Sequence, residues 1–180
     1  KFQKKNINNV IKHIDAQIDY SYNDHIMDNF TLRTPPKMKM ITPVTRRTLN
    51  TQANMTAEWD QFSLKTGISS QHNKHGKNEV SDMRFESYGA FGELTYNINN
   101  YNKVVGGARV DQAKIDNLLK DITRKETLPS GFVRLENTAK AHDLKSYVGV
   151  GYVERVPDYW ELSSKSFAQP SLPSYAFQNL

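Results

Sequence analysis

Apolar and polar side chains alternate one by one in several short stretches of the chain. In residues 14–23 the even positions are Ile14, Ala16, Ile18, Tyr20 and Tyr22, and the odd positions are all polar. A period of two places successive side chains on opposite faces of a β-strand, whereas helical spacing would scatter these apolar residues around the helix. The stretch therefore predicts a strand with one apolar face and one polar face.

The same alternation recurs along the chain and predicts seven strands in all. The further stretches are 49–59, 62–69, 88–97, 104–111, 132–137 and 148–155. Short connections at 60–61, 97–102 and 138–144 alternate with long polar connections at 28–47, 73–84 and 116–131. This alternation is typical of an up-and-down barrel in an outer membrane, and a soluble sandwich has no reason to show it. Trp59 and Tyr96 stand beside short turns, where an aromatic girdle is expected.

Composition leaves this membrane class open and excludes others. The 180 residues carry a net charge of +5 and contain no Cys, so disulfides within the chain are excluded. No run approaches the ~18–20 apolar residues of a membrane helix, but a membrane strand needs only every second residue to be apolar. We expect an all-β fold, namely an antiparallel up-and-down transmembrane β-barrel segment. Because the chain opens with Lys1 rather than Met, we also expect it to be an internal piece of something larger or a processed form.

The sequence offers no motif of the common enzyme classes. It contains no Gly-x-Ser-x-Gly, no Gly-rich phosphate loop and no His-Glu-x-x-His, and its acidic residues are spread singly along the strands. Basic residues are scattered through polar stretches without interleaved aromatic residues, which argues against nucleic-acid binding. We therefore expect neither an enzyme nor a nucleic-acid-binding protein.

His25 and Met27 are the strongest candidates for a metal site. They are two residues apart, and the odd register of the first strand places both on its polar, lumenal face. Imidazole and thioether ligands suit copper, and the thioether favours Cu(I). The alternative is that the pair packs under the loop 28–47. In that loop Met38 and Met40 form a weaker thioether candidate, for which loop packing is again the alternative.

Other charged or imidazole-bearing residues have plainer expectations. His72 and His75 are three apart in a polar stretch, a spacing that suits a helix or a turn, and we expect ordinary surface histidines. Arg46 and Arg47 are expected to be solvated loop bases, with lipopolysaccharide phosphates as the alternative partner.

Two parts of the sequence resemble TonB-dependent outer-membrane receptors. The stretch GAFGELTYNINNYNKVVGGARVD (89–111) resembles a barrel hairpin of that family, and SYVGVGYVERVPDYWELSSK (146–165) is similar to a later strand that ends in Arg-x-Pro. The Pro-Asp-Tyr-Trp-Glu of Pro157–Glu161 and the His-x-Met of DHIMDNFTLR (24–33) resemble the copper-receptor branch.

The resemblance implies that residues 1–180 are about seven strands of a barrel of about 22, in the bacterial outer membrane. It implies copper as the transported substrate rather than a catalytic cofactor, bound by His25 and Met27. Implied partners are outer-membrane lipid and lipopolysaccharide, the receptor's own plug domain, and TonB through an N-terminal region that this chain lacks. Residues Glu93, Arg109, Asp111 and Arg155 would form a lumenal charge ladder against the plug.

The chain departs from the copper branch in two ways and leaves two alternatives open. In the copper branch the plug supplies further ligands, including a Cys, and the chain has no Cys and no plug, so it holds at most half of a metal site. One alternative is a receptor of the same family for a siderophore, haem or another metal complex. The other is a soluble antiparallel β-domain that binds a ligand without transporting it.

Overall fold

The protein is described by a computed structural model that covers residues 1–32, 34, 37–78, 81–118, 121–139 and 144–156. Its strands are β1 Phe2–Lys5, β2 Ile11–Asp28, β3 Ile41–Trp59, β4 Phe62–Asn78, β5 Ser81–Asn97, β6 Asn102–Asn117, β7 Ile122–Ala139 and β8 Leu144–Val153. They form one antiparallel sheet in which every strand pairs with its sequence neighbours. The predicted all-β up-and-down fold is confirmed. The described residues include no helix that is long and apolar enough to cross a membrane.

The register places the apolar residues of neighbouring strands on one continuous face. Ala53 pairs with Ile68, Ile68 with Ala90, and Ala90 with Val110. This face, which we call the lipid face, holds the even residues of β2, β4, β5, β6 and β8 and the odd residues of β3 and β7. Ile18 and Ile68 are 71% and 63% exposed on it. An apolar surface this extensive requires lipid, and the opposite face is the lumenal face.

An aromatic cluster marks one edge of the apolar band. Trp59 stacks on Phe62 with ring centroids 6.0 Å apart, and Phe62 stacks on Tyr96 at 4.9 Å. All three lie on the lipid face beside the turns 60–61 and 98–101, which define the turn end of the sheet, as the sequence predicts for Trp59 and Tyr96. From Tyr96 to Tyr88 the lipid face of β5 carries no charge, and this length matches the ~9–11 residues that cross a membrane.

The strands are longer, and most of the connections shorter, than the sequence predicts. The polar stretches 73–84 and 116–131 predict loops, but β4 runs to Asn78, β5 begins at Ser81, and β7 begins at Ile122. Of the predicted long loops only 29–40 remains, between β2 and β3, and we call its side of the sheet the loop end. Beyond the membrane neither face meets lipid, so polar residues occur on both faces, the alternation disappears and a strand resembles a polar loop.

Two further differences concern the ends of the described sheet. The structure adds β1, which has only 4 residues and is too short to show a period. The last strand, expected to continue to residue 155, ends at Val153, so Arg155 follows β8 instead of lying within it. The motif Pro157–Glu161 lies outside the described residues.

Candidate functional site

The candidate ligands His25 and Met27 lie near the end of β2, at the loop end of the sheet. His25 pairs with Val44, and the main chain of Met27 pairs with Thr42. Pairing between β3 and β4 stops at Arg46 and His75, so this part of the β2–β3 hairpin rises beyond β4. The register puts His25 on the lumenal face, where it is exposed. The Met27 side chain lies outside the described part.

An asparagine that the sequence analysis did not single out holds the methionine loop against this strand end. Asn29 Nδ2 donates a hydrogen bond to the Met38 carbonyl at 3.1 Å, and the Met40 N–H donates to Asn29 Oδ1 at 2.9 Å. The Asn29 N–H also donates to the Met40 carbonyl at 3.4 Å. These bonds bring the main chain of Met38 and Met40 beside the end of β2, two residues beyond Met27. The Met38 side chain is 70% exposed.

Asp28 fixes the first turn of the same loop. Its Oδ1 accepts hydrogen bonds from the main-chain N–H groups of Phe30, at 2.9 Å, and Thr31, at 2.6 Å. Its Oδ2 accepts a hydrogen bond from the Thr31 hydroxyl. The hydroxyl and these two N–H groups lower the pKa of Asp28 below the ordinary value of a carboxyl group. Asp28 therefore stabilises the loop in its ionised form.

We expect acid to loosen this turn. Because the pKa is lower in the folded state, the stabilisation is fully present above the ordinary carboxyl range and is lost as pH falls through the lowered value. Hydrogen exchange of the segment 29–32, corrected for the intrinsic rate, should be slower near pH 6 than near pH 3. Asp28→Asn keeps an acceptor without the charge, so its protection should not depend on pH. Equal pH dependence in the two proteins would contradict the assignment.

A second group of predicted residues lies on the lumenal face at mid-height. Arg109 Nε donates to Asp111 Oδ2 at 2.5 Å, and Arg109 Nη2 donates to Ser69 Oγ at 2.9 Å. The two charged residues are two apart and therefore share a face, which accounts for the Arg-x-Asp of the sequence. Gly89 lies opposite Asp111, and a side chain at Gly89 would collide with both charged groups. The glycine thus makes room for the ion pair.

The other two predicted lumenal charges, Glu93 and Arg155, lie in different surroundings. Glu93 lies directly opposite Lys65 across β4 and β5. Arg155 lies beyond the last strand and is exposed, and its guanidinium donates to the Val156 carbonyl at 3.4 Å. Sequence analysis missed a cross-strand group in which Glu136 accepts from Arg134 at 2.6 Å and pairs with Lys103 at 3.0 Å. Arg134 and Glu136 repeat the spacing of Arg109 and Asp111, which is the signal that could have revealed them.

His72 and His75 lie on opposite faces of β4, because residues three apart on a strand point to opposite sides. His72 is on the lipid face near Tyr88, whereas His75 is lumenal and only 6% exposed. The expectation that both are surface histidines is therefore wrong for His75. Its partner across the sheet is Met83, 3% exposed, which packs with Ile115 above the membrane band.

The comparisons with known proteins agree with this geometry. A family model described as TonB dependent receptor-like, beta-barrel matches residues 3–180. The chain belongs to the TonB-dependent receptor family. Receptors of this family are bacterial outer-membrane proteins, which places the lipid face in that membrane. They are transporters rather than enzymes.

One solved structure similar to this TonB-dependent receptor chain is entitled "Copper transporter OprC". The two superimpose with a TM-score of 0.78 and are 36% identical, and the match covers 89% of this chain. It covers 31% of the transporter, so the chain spans about a third of that protein's length. No curated protein matches the chain.

Proposed function

We propose that the chain is the part of a TonB-dependent receptor that captures copper at the cell surface for import. The observation that carries the proposal is the 36% identity to a copper transporter, together with the His-x-Met of His25 and Met27 at the loop end of β2. Imidazole and thioether are ligands of copper, and the soft thioether favours Cu(I) over harder ions.

The position of the pair suits a first contact with substrate. β2 has 18 residues, whereas ~9–11 cross the membrane, and His25 lies above the lipid-facing tyrosines Tyr20 and Tyr22. The short stretch 38–40, tied to the strand by Asn29, brings two more thioethers into the neighbourhood. We propose that Met38 and Met40 bind copper first and transfer it to His25 and Met27.

Two barrel ligands bind a metal ion only loosely, and the described residues include no group of three or more His, Cys, Asp or Glu placed to hold one. We therefore propose that the plug domain completes the site. The lumenal surface supports this, because a depression of about 600 Å³ at mid-height is lined by Phe91, Arg109 and Phe132 and suits a packed domain. TonB would act through the plug.

The test is the metal content of the full receptor after exposure to Cu(I) and removal of free metal. We expect His25→Ala/Met27→Ala to lose most of the bound copper, while the barrel stays folded because His25 is exposed on the lumenal side. Loss of a residue that only supports a metal ligand costs ~10–100-fold in affinity, so loss of two direct ligands should weaken binding by at least about a hundredfold.

The matched control removes the same two side-chain types elsewhere. His13 lies at the turn end of β2, and Met55 lies on the lipid face of β3. His13→Ala/Met55→Ala should therefore keep its copper. If wild type and His25→Ala/Met27→Ala carry equal copper, the assignment fails, and Met38→Ala/Met40→Ala becomes the decisive variant. If no variant and no wild type binds copper while a siderophore or haem protects the receptor from unfolding, the substrate is a metal complex.

A further inference from the structure

Arg46 lies on the lumenal face of β3, diagonally across from the candidate copper ligand His25. His25 pairs with Val44, and Arg46, two residues further along β3, pairs with Asn23. Residues in this diagonal relation share a face and have Cα atoms ~7–8 Å apart. The sequence predicts that Arg46 lies in the loop 28–47, but the structure places it within β3. The register thus puts a fixed positive charge beside the imidazole.

The charge of Arg46 is not neutralised by a described neighbour. None of the ion pairs among the described residues includes Arg46. Its side chain is half-buried and lines a cavity of about 200 Å³ together with Asn73 and His75. Glu86 also borders this cavity, but as an even residue of β5 it belongs to the lipid face, where it lies 3.9 Å from His72. The lumenal surface therefore keeps the positive charge.

The carboxylates of β2 do not offset this charge at His25. Asp24 is an even residue and accepts a hydrogen bond from the hydroxyl of Tyr22, on the lipid face, at 3.1 Å. Asp28 accepts its hydrogen bonds from the loop that follows. The nearest lumenal carboxylate of β2 is that of Asp19, six residues from His25 and so ~20 Å away along the strand. Carboxylate ligands raise the affinity of a site for hard divalent ions, and the described surroundings of His25 supply none on the lumenal face.

A positive charge at this distance separates metal ions by their own charge. At ~9 Å, a little more than the Cα separation, Arg46 weakens the binding of a monovalent ion by about twofold in a dielectric like that of water. At an effective dielectric constant of ~20 the same repulsion weakens it by about twentyfold. A divalent ion carries twice the charge, so its binding is weakened by the square of each factor, namely about fourfold and about four-hundredfold. Arg46 therefore disfavours divalent ions more than monovalent ions.

We propose that Arg46 determines the specificity of the copper site by charge, and that it reserves His25 and Met27 for a monovalent ion, Cu(I). This inference rests on the proposed copper function and adds the residue that selects the charge of the ion. The thioether of Met27 favours soft ions over hard ones, whereas Arg46 favours one positive charge over two. The two effects together disfavour divalent ions such as Zn(II) at the same position.

The experiment measures the dissociation constants of the full receptor for Ag(I), a soft monovalent ion, and for Zn(II), a divalent ion without redox chemistry. Both are obtained by competition with a chelator of known affinity, with nitrate as the counter-ion. Arg46→Gln should bind Ag(I) at least about twofold more tightly than wild type, and Zn(II) at least about fourfold more tightly. Both gains should shrink as the ionic strength rises from ~0.01 M to ~1 M, because salt screens the repulsion. Arg46→Lys keeps the charge and should behave as wild type.

Arg47 supplies the matched control. It also lies within β3 rather than in the predicted loop, but as an odd residue of that strand it faces away from the lumen, with its guanidinium carbon 5.5 Å from the ring centroid of Tyr22. Arg47→Gln makes the same change in net charge as Arg46→Gln and should leave both dissociation constants unchanged. If Arg46→Gln fails to fold, as judged by its gel mobility without heating, wild type still provides a test, because its affinity for Zn(II) relative to Ag(I) should increase with salt.

A purely structural role for Arg46 predicts a change of opposite sign, because a displaced His25 would bind both ions more weakly. Weaker or unchanged binding of Zn(II) by Arg46→Gln, an equal gain for Zn(II) and Ag(I), or an equal gain in Arg47→Gln would each overturn the proposal while leaving the copper function intact. Wild type that binds neither Ag(I) nor Cu(I) would overturn the copper function itself, and this inference with it.

Discussion

Ala53→Arg is expected to lower the free energy of unfolding of the full receptor in a bilayer by ~2–4 kcal/mol, the cost of an arginine on the lipid face near mid-membrane. Ala53 lies between Leu49 and Trp59 on the uncharged lipid face of β3, with Ala16 and Ile68 on either side. A guanidinium there must lose its hydrating water or carry water into the hydrocarbon. Among the described residues of the lipid face, no acidic side chain lies at that height to pair with it.

The neighbouring residue supplies the control. Gln52 points to the lumen, is exposed, and lines a polar depression together with Asp19. Gln52→Arg should therefore change the free energy of unfolding by less than about 1 kcal/mol, because the new charge meets water and a carboxylate. The measurement is urea unfolding of receptor folded into liposomes. Equal destabilisation by Ala53→Arg and Gln52→Arg would show that the lipid and lumenal faces are assigned wrongly.

Gly67→Ala is expected to destabilise the barrel by ~1–3 kcal/mol, the usual cost of forcing atoms into a packed site. A Cβ at Gly67 would lie 2.7 Å from the Ala53 carbonyl oxygen and 2.7 Å from Phe91 Cε1. The Phe91 ring can move aside, but the carbonyl belongs to the paired strand and cannot move without disturbing the ladder. Phe91→Ala should accordingly relieve only part of the loss.

Gly92 is the matched glycine for this comparison. It lies on the adjacent strand, and a Cβ there would meet nothing within 4 Å. Gly92→Ala should be neutral or stabilise by ~0.4–1 kcal/mol, since it restricts the unfolded chain without a clash. Both variants are compared by the same urea titration. A loss at Gly92 as large as that at Gly67 would mean that backbone freedom, rather than the close approach of strands, explains these glycines.

The sequence predicts the fold wherever the two faces of a strand meet different solvents. Residues 14–22 and 88–96 alternate between lipid and lumen, so the alternation alone identifies their strands and assigns their faces. The segments 73–78 and 122–127 lie beyond the membrane, have polar residues on both faces, carry no alternation, and resemble loops in sequence although they belong to β4 and β7. For the same reason periodicity does not predict the lumenal position of His75.

The candidate site shows the same limit. The position of His25 on the lumenal face follows from the odd register of β2, because that strand runs unbroken from Ile11 to Asp28. The bridge from Asn29 to Met38 and Met40 depends on the path of a loop, which no periodicity encodes. Lys103 joins Arg134 and Glu136 only through the pairing of β6 with β7, so it appears as an unrelated base in the sequence.

On β3 Arg46 lies on the lumenal face and Arg47 on the lipid face, and this alternation limits how the barrel can change its length during evolution. Deleting one residue from the middle of β3 would exchange every side chain beyond it between the two faces, placing Arg46 on the lipid face and Thr48 in the former position of Leu49. Deleting two residues would shorten the wall and preserve both faces. Homologous barrels should therefore differ in strand length by even numbers of residues within the membrane, and odd differences should be confined to loops such as 29–40.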